Sequence, residues 1–569
     1  MNNRSFNKRK MRYAGTSAAL TALIIAAILV LNIIFSALAA KFLWYIDLTP
    51  ELLFTLSDDC FDLIENGDED FENSASPIEM VEKFRADNAA YNKENGLKAG
   101  DAGWRDEELM IEIVFCDDID VLEANLMQKY VYHTALELQD KFPEYIKVVN
   151  YDIVKNPSAV EKYRKTSLDY VGPTNVIVSC GSEYRKYSLR SFYTFDSETA
   201  TEPWAYNAEK KFTAGILAVT RAETPLACLT TNHGETFATA ALTATLEDAG
   251  YEVKMLDLAT EEIPEECRLV VICDPKSDFM VKDGISEIDE IEKLDRFLDA
   301  TNSLMVFMSP SSPKLENLED YLAEWGISYR RYTDELTAQE HSMLISDKSQ
   351  SLSTDGYTMI SEYTTMGSGA SLTTEMRSGS VPKKVIFKDA MPIAYSPSYT
   401  LAHFSDETTG VAFDYGAYSF DGTQRNIYDV FTTSASAVAY ANGEEVAKST
   451  VSEPFKLMTV TVENRSVQES NDSVVNEASY VVACGSTEFL GEALIQSEAY
   501  GNSDLMLSVG RAIGQEPVPV GLAPKPFADS TIDTITAADA TQYLIVLTAI
   551  PALAALIAGP VIIIRRKNR

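Results

Sequence analysis

With 569 residues the chain exceeds what one hydrophobic core supports, and at roughly 150 residues per domain it divides into about three folded units. A hydrophobic fraction of 46% excludes a many-span transporter, and a formal net charge of −37 excludes a surface that gathers nucleic acid. Seven cysteines (Cys60, Cys116, Cys180, Cys228, Cys267, Cys273 and Cys484), odd in number and without a CxxC pair, exclude a disulfide framework and a zinc site.

Tyr13 to Ala40 carries no charge, and at about 1.5 Å per residue it is long enough to cross a roughly 30 Å hydrocarbon layer as one helix. Arg4, Lys8, Arg9, Lys10 and Arg12 precede it; Arg565, Arg566, Lys567 and Arg569 follow a second uncharged run, Ala540 to Ile564. Setting those nine cations aside leaves 39 basic residues against 85 acidic ones, so the acidity belongs to the segment between the runs. Because Lys and Arg stay on the cytoplasmic side, the pattern predicts one transmembrane helix at each end, basic tails (1–12 and 565–569) inside, and a body of about 500 residues outside. Ser36-Ala37-Leu38-Ala39-Ala40 also reads as a signal cleavage site, but the apolar run exceeds the usual 7 to 15 residues, which favours an uncleaved anchor.

After the junction Trp44 to Thr49, residues 47 to 66 read as an extended piece and a helix, with Ser57 as N-cap and Asp58 and Asp59 in its positive first turn. Asn66 to Asp106 is acidic and rich in Asn and Gly; it predicts a flexible insertion, despite helical spacing around Ile78 to Tyr91. From residue 107 to 206 the order is strand (Met110 to Cys116), helix (Leu122 to Phe142), strand (Ile146 to Ile153), short helix (Ser158 to Lys165) and a hairpin around Gly181-Ser182. This βαβαββ order resembles the thioredoxin-like fold, yet Asp117-Asp118-Ile119-Asp120 stands where a redox pair would be.

Residues 207 to 330 predict a doubly wound parallel sheet. Strands at Leu226 to Thr230, Glu252 to Leu256, Leu269 to Cys273 and Ser303 to Met308 alternate with helices at Thr236 to Ala249, Ile285 to Ala300 and Leu315 to Trp325. From 331 to 515 the texture turns to Ser, Thr and β-branched residues, predicting a β-rich part with an exposed loop from Asn464 to Glu477. Tyr480 to Cys484 reads as an apolar strand returning to the sheet, a helix follows near Asp504 to Ile513, and 516–539 is a Pro-rich linker. The fold class is thus α/β with a β-rich C-terminal part.

Several segments in this order resemble the GldG family, auxiliary components of ABC-type transport systems named for gliding motility. They are Ile46-Asp47-Leu48-Thr49 with Thr55-Leu56-Ser57; His233-Gly234-Glu235 before Gly250-Tyr251-Glu252-Val253; and Ile263-Pro264 ahead of Val270 to Phe279. Leu318 to Gly326, Val482 to Phe489 and Gly501 to Asp504 complete the set. The resemblance implies a non-enzymatic, membrane-anchored partner of an ABC permease and its ATPase, with a domain of glutamine-amidotransferase-like shape. The chain has no GxxxxGK[ST] loop, so permease and ATPase would be separately encoded chains.

Candidate chemistry is sparse. His233 and Glu235 follow a parallel strand, where open α/β sheets bind ligands, and Lys276, Ser277 and Asp278 stand at the same edge; these five are the ligand-binding candidates. A structural turn, with Glu235 in the first helical turn, is the competing reading of the histidine loop. No nucleophile pairs with His233, and Cys273 is followed by Asp274-Pro275 rather than a small-residue elbow, so no catalytic residue is assigned. Asp117, Asp118 and Asp120 lack the glycine and distal Glu of a calcium loop, and His133, His341 and His403 are isolated; no metal and no cofactor is assigned. The alternative function is a tethered binding or hydrolytic domain acting on a cell-envelope glycan or peptide.

Overall fold

The computed structural model describes residue 30 and residues 53–527 apart from short internal stretches, the longest being 68–74. Its contacts group the chain into two units, Met1–Lys525 and Pro526–Arg569, and the sheets and helices of the body belong to the first. Apart from Val30, both uncharged runs, both basic tails and the Trp44 to Thr49 junction lie outside the described residues. Among the described residues no helix is long and apolar enough to cross a membrane.

Helix α1 (Asp58–Glu65) starts where Ser57 accepts a hydrogen bond from the Cys60 amide, with Asp58 and Asp59 in the first turn. The flexible insertion expected from Asn66 to Asp106 is corrected: Pro77–Asn95 forms a 19-residue helix, α2. Ser76 and Glu79 make a reciprocal capping box, Pro77 takes the first turn, and Gly96 closes the helix at φ +64°. Arg85 pins α2 to the next strand and loop through the Leu109 and Glu144 carbonyls, both at 2.7 Å.

The first sheet contains β1 (Ile111–Phe115), β2 (Ile146–Asn150), β3 (Asn175–Cys180) and β4 (Glu183–Ser188), in the order β2-β1-β3-β4. β1 and β2 are parallel; β3 and β4 run antiparallel to their neighbours. The single helix expected over Leu122 to Phe142 is two, α3 (Ile119–Ala124) and α4 (Leu126–Lys141). Asn125 divides them because its side chain accepts from the Met127 and Gln128 amides, an N-cap inside what the spacing reads as one helix. The short helix after β2 is a 3₁₀ helix, Pro157–Tyr163.

Helix α5 (Ala208–Thr220) is buried at every position. It packs on β3, β4, α1, α2 and α4, and on the first helix of the next layer, so its polar residues must find partners inside the protein. Glu209 accepts from the Ser57 amide at 2.8 Å and from its hydroxyl, and Lys211 grips both oxygens of Asp248 at 2.5 and 2.7 Å.

The large sheet is built on parallel strands β5 (Leu226–Thr230), β6 (Glu252–Leu256), β7 (Cys267–Cys273) and β8 (Ser303–Phe307), in the order β6-β5-β7-β8. Helices α6 (Ala240–Asp248), α7 (Glu290–Asp299) and α8 (Glu316–Glu324) alternate with them. β5, β7 and β8 bury both faces, whereas the edge strand β6 is largely exposed. Leu269, Val271 and Cys273 join Leu242 and Leu246 of α6 in one core, while Val270 and Ile272 join Leu294 of α7 and Leu318 of α8 in the other.

The sheet continues through antiparallel strands β9 (Thr400–Asp406), β10 (Val411–Phe420), β11 (Thr423–Thr432) and β12 (Lys456–Gln468) to β13 (Val474–Cys484). β13 lies antiparallel to β12 and parallel to β8, with Leu304 opposite Val481 and Phe307 opposite Cys484. The exposed loop expected over Asn464 to Glu477 is corrected as well, because β12 and β13 stay in register out to Gln468 and Val474. A fully buried Glu463 sits between Arg425 and Arg465, and Arg425 lies 4.0 Å above the buried Trp325 ring at the end of α8. Helix α9 (Asn502–Gly514) returns against α6.

Candidate functional site

The carboxyl ends of β7, β8 and β13 lie side by side, and the turns leaving them build a crevice. After Cys273 the chain turns sharply at Asp274, whose φ is +56°, held by its amide on the Phe307 carbonyl at 2.9 Å. The buried Asp274 carboxylate then collects Lys276 Nζ at 2.6 Å, Ser312 Oγ at 3.1 Å and Ser309 Oγ at 3.3 Å. Beyond Cys484, Gly485 lets the backbone pass against residue 391: its amide donates to Leu457, its carbonyl accepts from Met391 at 2.7 Å, and an added Cβ would meet the Met391 oxygen at 2.0 Å. The resulting cavity of about 580 Å³ is bordered by Asp274, Ser309, Ser311, Asp389, Thr487 and Glu488. Burial pushes the Asp389 carboxyl above its ordinary value, whereas Glu488 is paired with Lys388 at 2.8 Å. This wall of hydroxyls and carboxylates accepts hydrogen bonds from hydroxyl or ammonium groups and disfavours anions.

Of the five candidates read from the sequence, His233 and Glu235 come together beside this crevice but face inward. The His233 ring is 4% exposed and stacks on Phe279 at 3.9 Å. Its Nε2 is 3.1 Å from Glu290, and its Nδ1 is 3.4 Å from Glu235, a charge contact without hydrogen-bond geometry. Burial alone would lower the His233 pKa; Glu235 and Glu290 outweigh it and raise the ring to about 9. His233 also holds Glu235 below its ordinary value against that carboxyl's own burial. Glu290 accepts from the Met280 amide at 2.7 Å, and the His233 carbonyl accepts from the amides of Lys276 and Ser277 at 2.7 and 2.8 Å. The histidine is therefore an imidazolium clamped between two carboxylates, joining the loop after β5 to the loop after β7 and to the start of α7.

Glu235 is not in a first helical turn, since α6 begins only at Ala240. Lys276 is tied to Asp274 and Ser311 of the crevice wall without lining the cavity itself, whereas Asp278 accepts from the amides of Asn317 and Leu318 and caps α8. Asp118 likewise caps α3 through the Asp120 amide. All seven cysteines are free and buried; burial, with neighbouring charge from Asp274, pushes the Cys273 thiol up. No cluster of three or more His, Cys, Asp or Glu side chains suited to a metal ion occurs among the described residues. Reasoning from sequence missed Asp274, Ser309, Ser311 and Asp389; the signal within reach was that Asp274 and Ser309 each follow a buried parallel strand by one or two residues.

No protein-family model matches the chain, and no curated protein matches it. Among solved structures it is similar to one described as the mmIFT52 N-terminal domain, at 10% sequence identity and a TM-score of 0.31, over 51% of this chain and 97% of that one. A superposition that loose fixes neither fold nor role.

Proposed function

We propose that the chain is a non-enzymatic, membrane-anchored accessory subunit of a bacterial ABC transport system of the GldG type, whose extracytoplasmic body binds a substrate or a partner. The observation that carries the binding role is the crevice at the carboxyl ends of three parallel strands, walled by Asp274, Ser309, Ser311 and Thr487. The sheet order β2-β1-β3-β4 supports a thioredoxin-like first unit, and helices on both faces of β6-β5-β7-β8 support a glutamine-amidotransferase-like second one. The uncharged runs with their flanking cations support two anchors and cytoplasmic termini.

A second reading, hydrolysis of a cell-envelope glycan or peptide, is favoured by one observation: a half-buried Asp389 with a raised pKa is the kind of carboxyl that serves as a general acid. One experiment separates the two. Affinity capture of the full chain in mild detergent brings down a polytopic permease and a P-loop ATPase on the first reading. Recovery of the intact chain without either, together with hydrolysis of envelope material lost on Asp389→Asn, replaces it with the second.

A further inference from the structure

A second cavity, about 660 Å³, adjoins the strand-end crevice and shares Phe237, Ala238 and Glu488 with it, where α5 and α6 face the start of α9 and the stretch of chain from Ser188 to Phe195 that leaves β4. Its walls combine apolar side chains, among them Ala241, Ala244 and Ile495, with four cations, Arg190, Lys210, Lys211 and Lys383, and four carboxylates, Asp248, Glu488, Glu492 and Asp504. Two of these cations are already matched: Lys211 holds Asp248 at 2.5 Å, and Lys383 holds Asp504 at 2.7 Å. Lys210 is not. It is 7% exposed, lines the same cavity, and has no hydrogen bond or ion pair among the described residues. A buried lysine whose ammonium contacts no carboxylate is unstable as the cation, and burial here, reinforced by Lys211 and Lys383, lowers its pKa against the longer-range attraction of Asp504 and Asp248.

A second feature points the same way. Lys210 belongs to the first turn of α5, and the N-cap residue Asn207, which also lines the cavity, makes no side-chain bond to that turn. The Asn207 side chain thus leaves the first amides of a 13-residue helix uncapped beside the unmatched ammonium, and the carboxylate in that turn, Glu209, is engaged with Ser57 and Lys525 instead. We propose that this cavity is a binding site for a ligand with one anionic group, a carboxylate or a phosphate, on an apolar body, the anion resting on Lys210 and the body on the Ala241 and Ile495 wall. The volume falls in the range of small-molecule sites. An arriving anion supplies the missing counter-charge and restores the ammonium, whereas a neutral molecule of the same shape does neither. The site does not depend on the transporter reading, and its test uses the chain by itself, so failure of either leaves the other standing.

The test is calorimetric titration of the full chain with octanoate and, separately, inorganic phosphate, with octanol as the neutral control. At least one anion binds saturably and octanol does not; octanoate alone indicates a carboxylate ligand, and phosphate alone a phosphate ligand. Lys210→Met weakens that binding at least about tenfold, the scale of losing a charge-assisted hydrogen bond, while Lys210→Arg retains it. The unliganded Lys210→Met protein also melts at a higher temperature than the wild type, because it no longer buries a lone charge. Equal anion affinity in wild type and Lys210→Met, or no saturable binding of either anion to the wild type, overturns the proposal.

Discussion

His233 is a charge held inside the protein by two others, and its removal should be felt by the fold. Taking away one partner of a buried ionic group leaves the rest uncompensated, so His233→Ala is expected to cost about 3 to 5 kcal/mol in urea unfolding. A loss below about 1 kcal/mol would show the triad to be idle. The ring's pKa is raised, from 6.5 toward about 9, so its contribution is complete below pH 6.5 and disappears as pH rises through 9. The wild-type melting temperature therefore falls over that window, and the His233→Ala temperature falls less. The sequence placed His233 correctly in the loop after a parallel strand, because Leu226 to Leu229 is an unbroken apolar run. It could not show Glu290, 57 residues away, whose carboxylate turns the ring from a solvent-facing candidate into a strut. Lys210 was hidden for a related reason: Ala-Glu-Lys-Lys-Phe is ordinary helix, and only packing on both sides of α5 makes the first of its two lysines a buried one without a partner.

At the scale of elements, local rules and tertiary demands disagree in instructive places. Helix α2 carries a complete start signal in Ser76-Pro77-Ile78-Glu79, yet the polar composition around it outweighs that signal when the sequence is read alone. Ser76→Ala removes one half of the capping box and is expected to lower stability by about 1 kcal/mol, read as a shift in the urea midpoint. Gly485→Ala is a harsher change, since its Cβ would strike the Met391 carbonyl, backbone against backbone. That substitution should cost about 3 kcal/mol or more and loosen the joint between β13 and the crevice, visible as faster amide exchange at Met391. An unchanged exchange rate there would mean that the close approach is not needed. The β12–β13 hairpin was legible at its apolar inner half, Tyr480 to Cys484, but not in its polar outer half, where pairing with the partner strand rather than residue type keeps the backbone extended.

On the scale of the whole molecule, the parallel sheet was the most readable part. Val270, Val271 and Ile272 must bury both faces of a strand, and only helices above and below the sheet provide that cover. The way residues 331 to 525 extend the same sheet by antiparallel strands could not be read in advance, because Ser- and Thr-rich strands carry little periodicity. Glu463 holds Arg425 and Arg465, and Arg425 in turn ties this extension to the end of α8 through the Glu324 carbonyl and the Trp325 ring. The proposed role requires this acidic body to lie beyond a bilayer, with the two uncharged runs as its proposed anchors. The direct measurement is labelling of Leu336→Cys, a 97% exposed position, by a membrane-impermeant maleimide in sealed cells; the seven native thiols are buried and stay silent. The account predicts labelling before the cells are opened. Labelling that appears only after permeabilisation would place the body in the cytoplasm and contradict it.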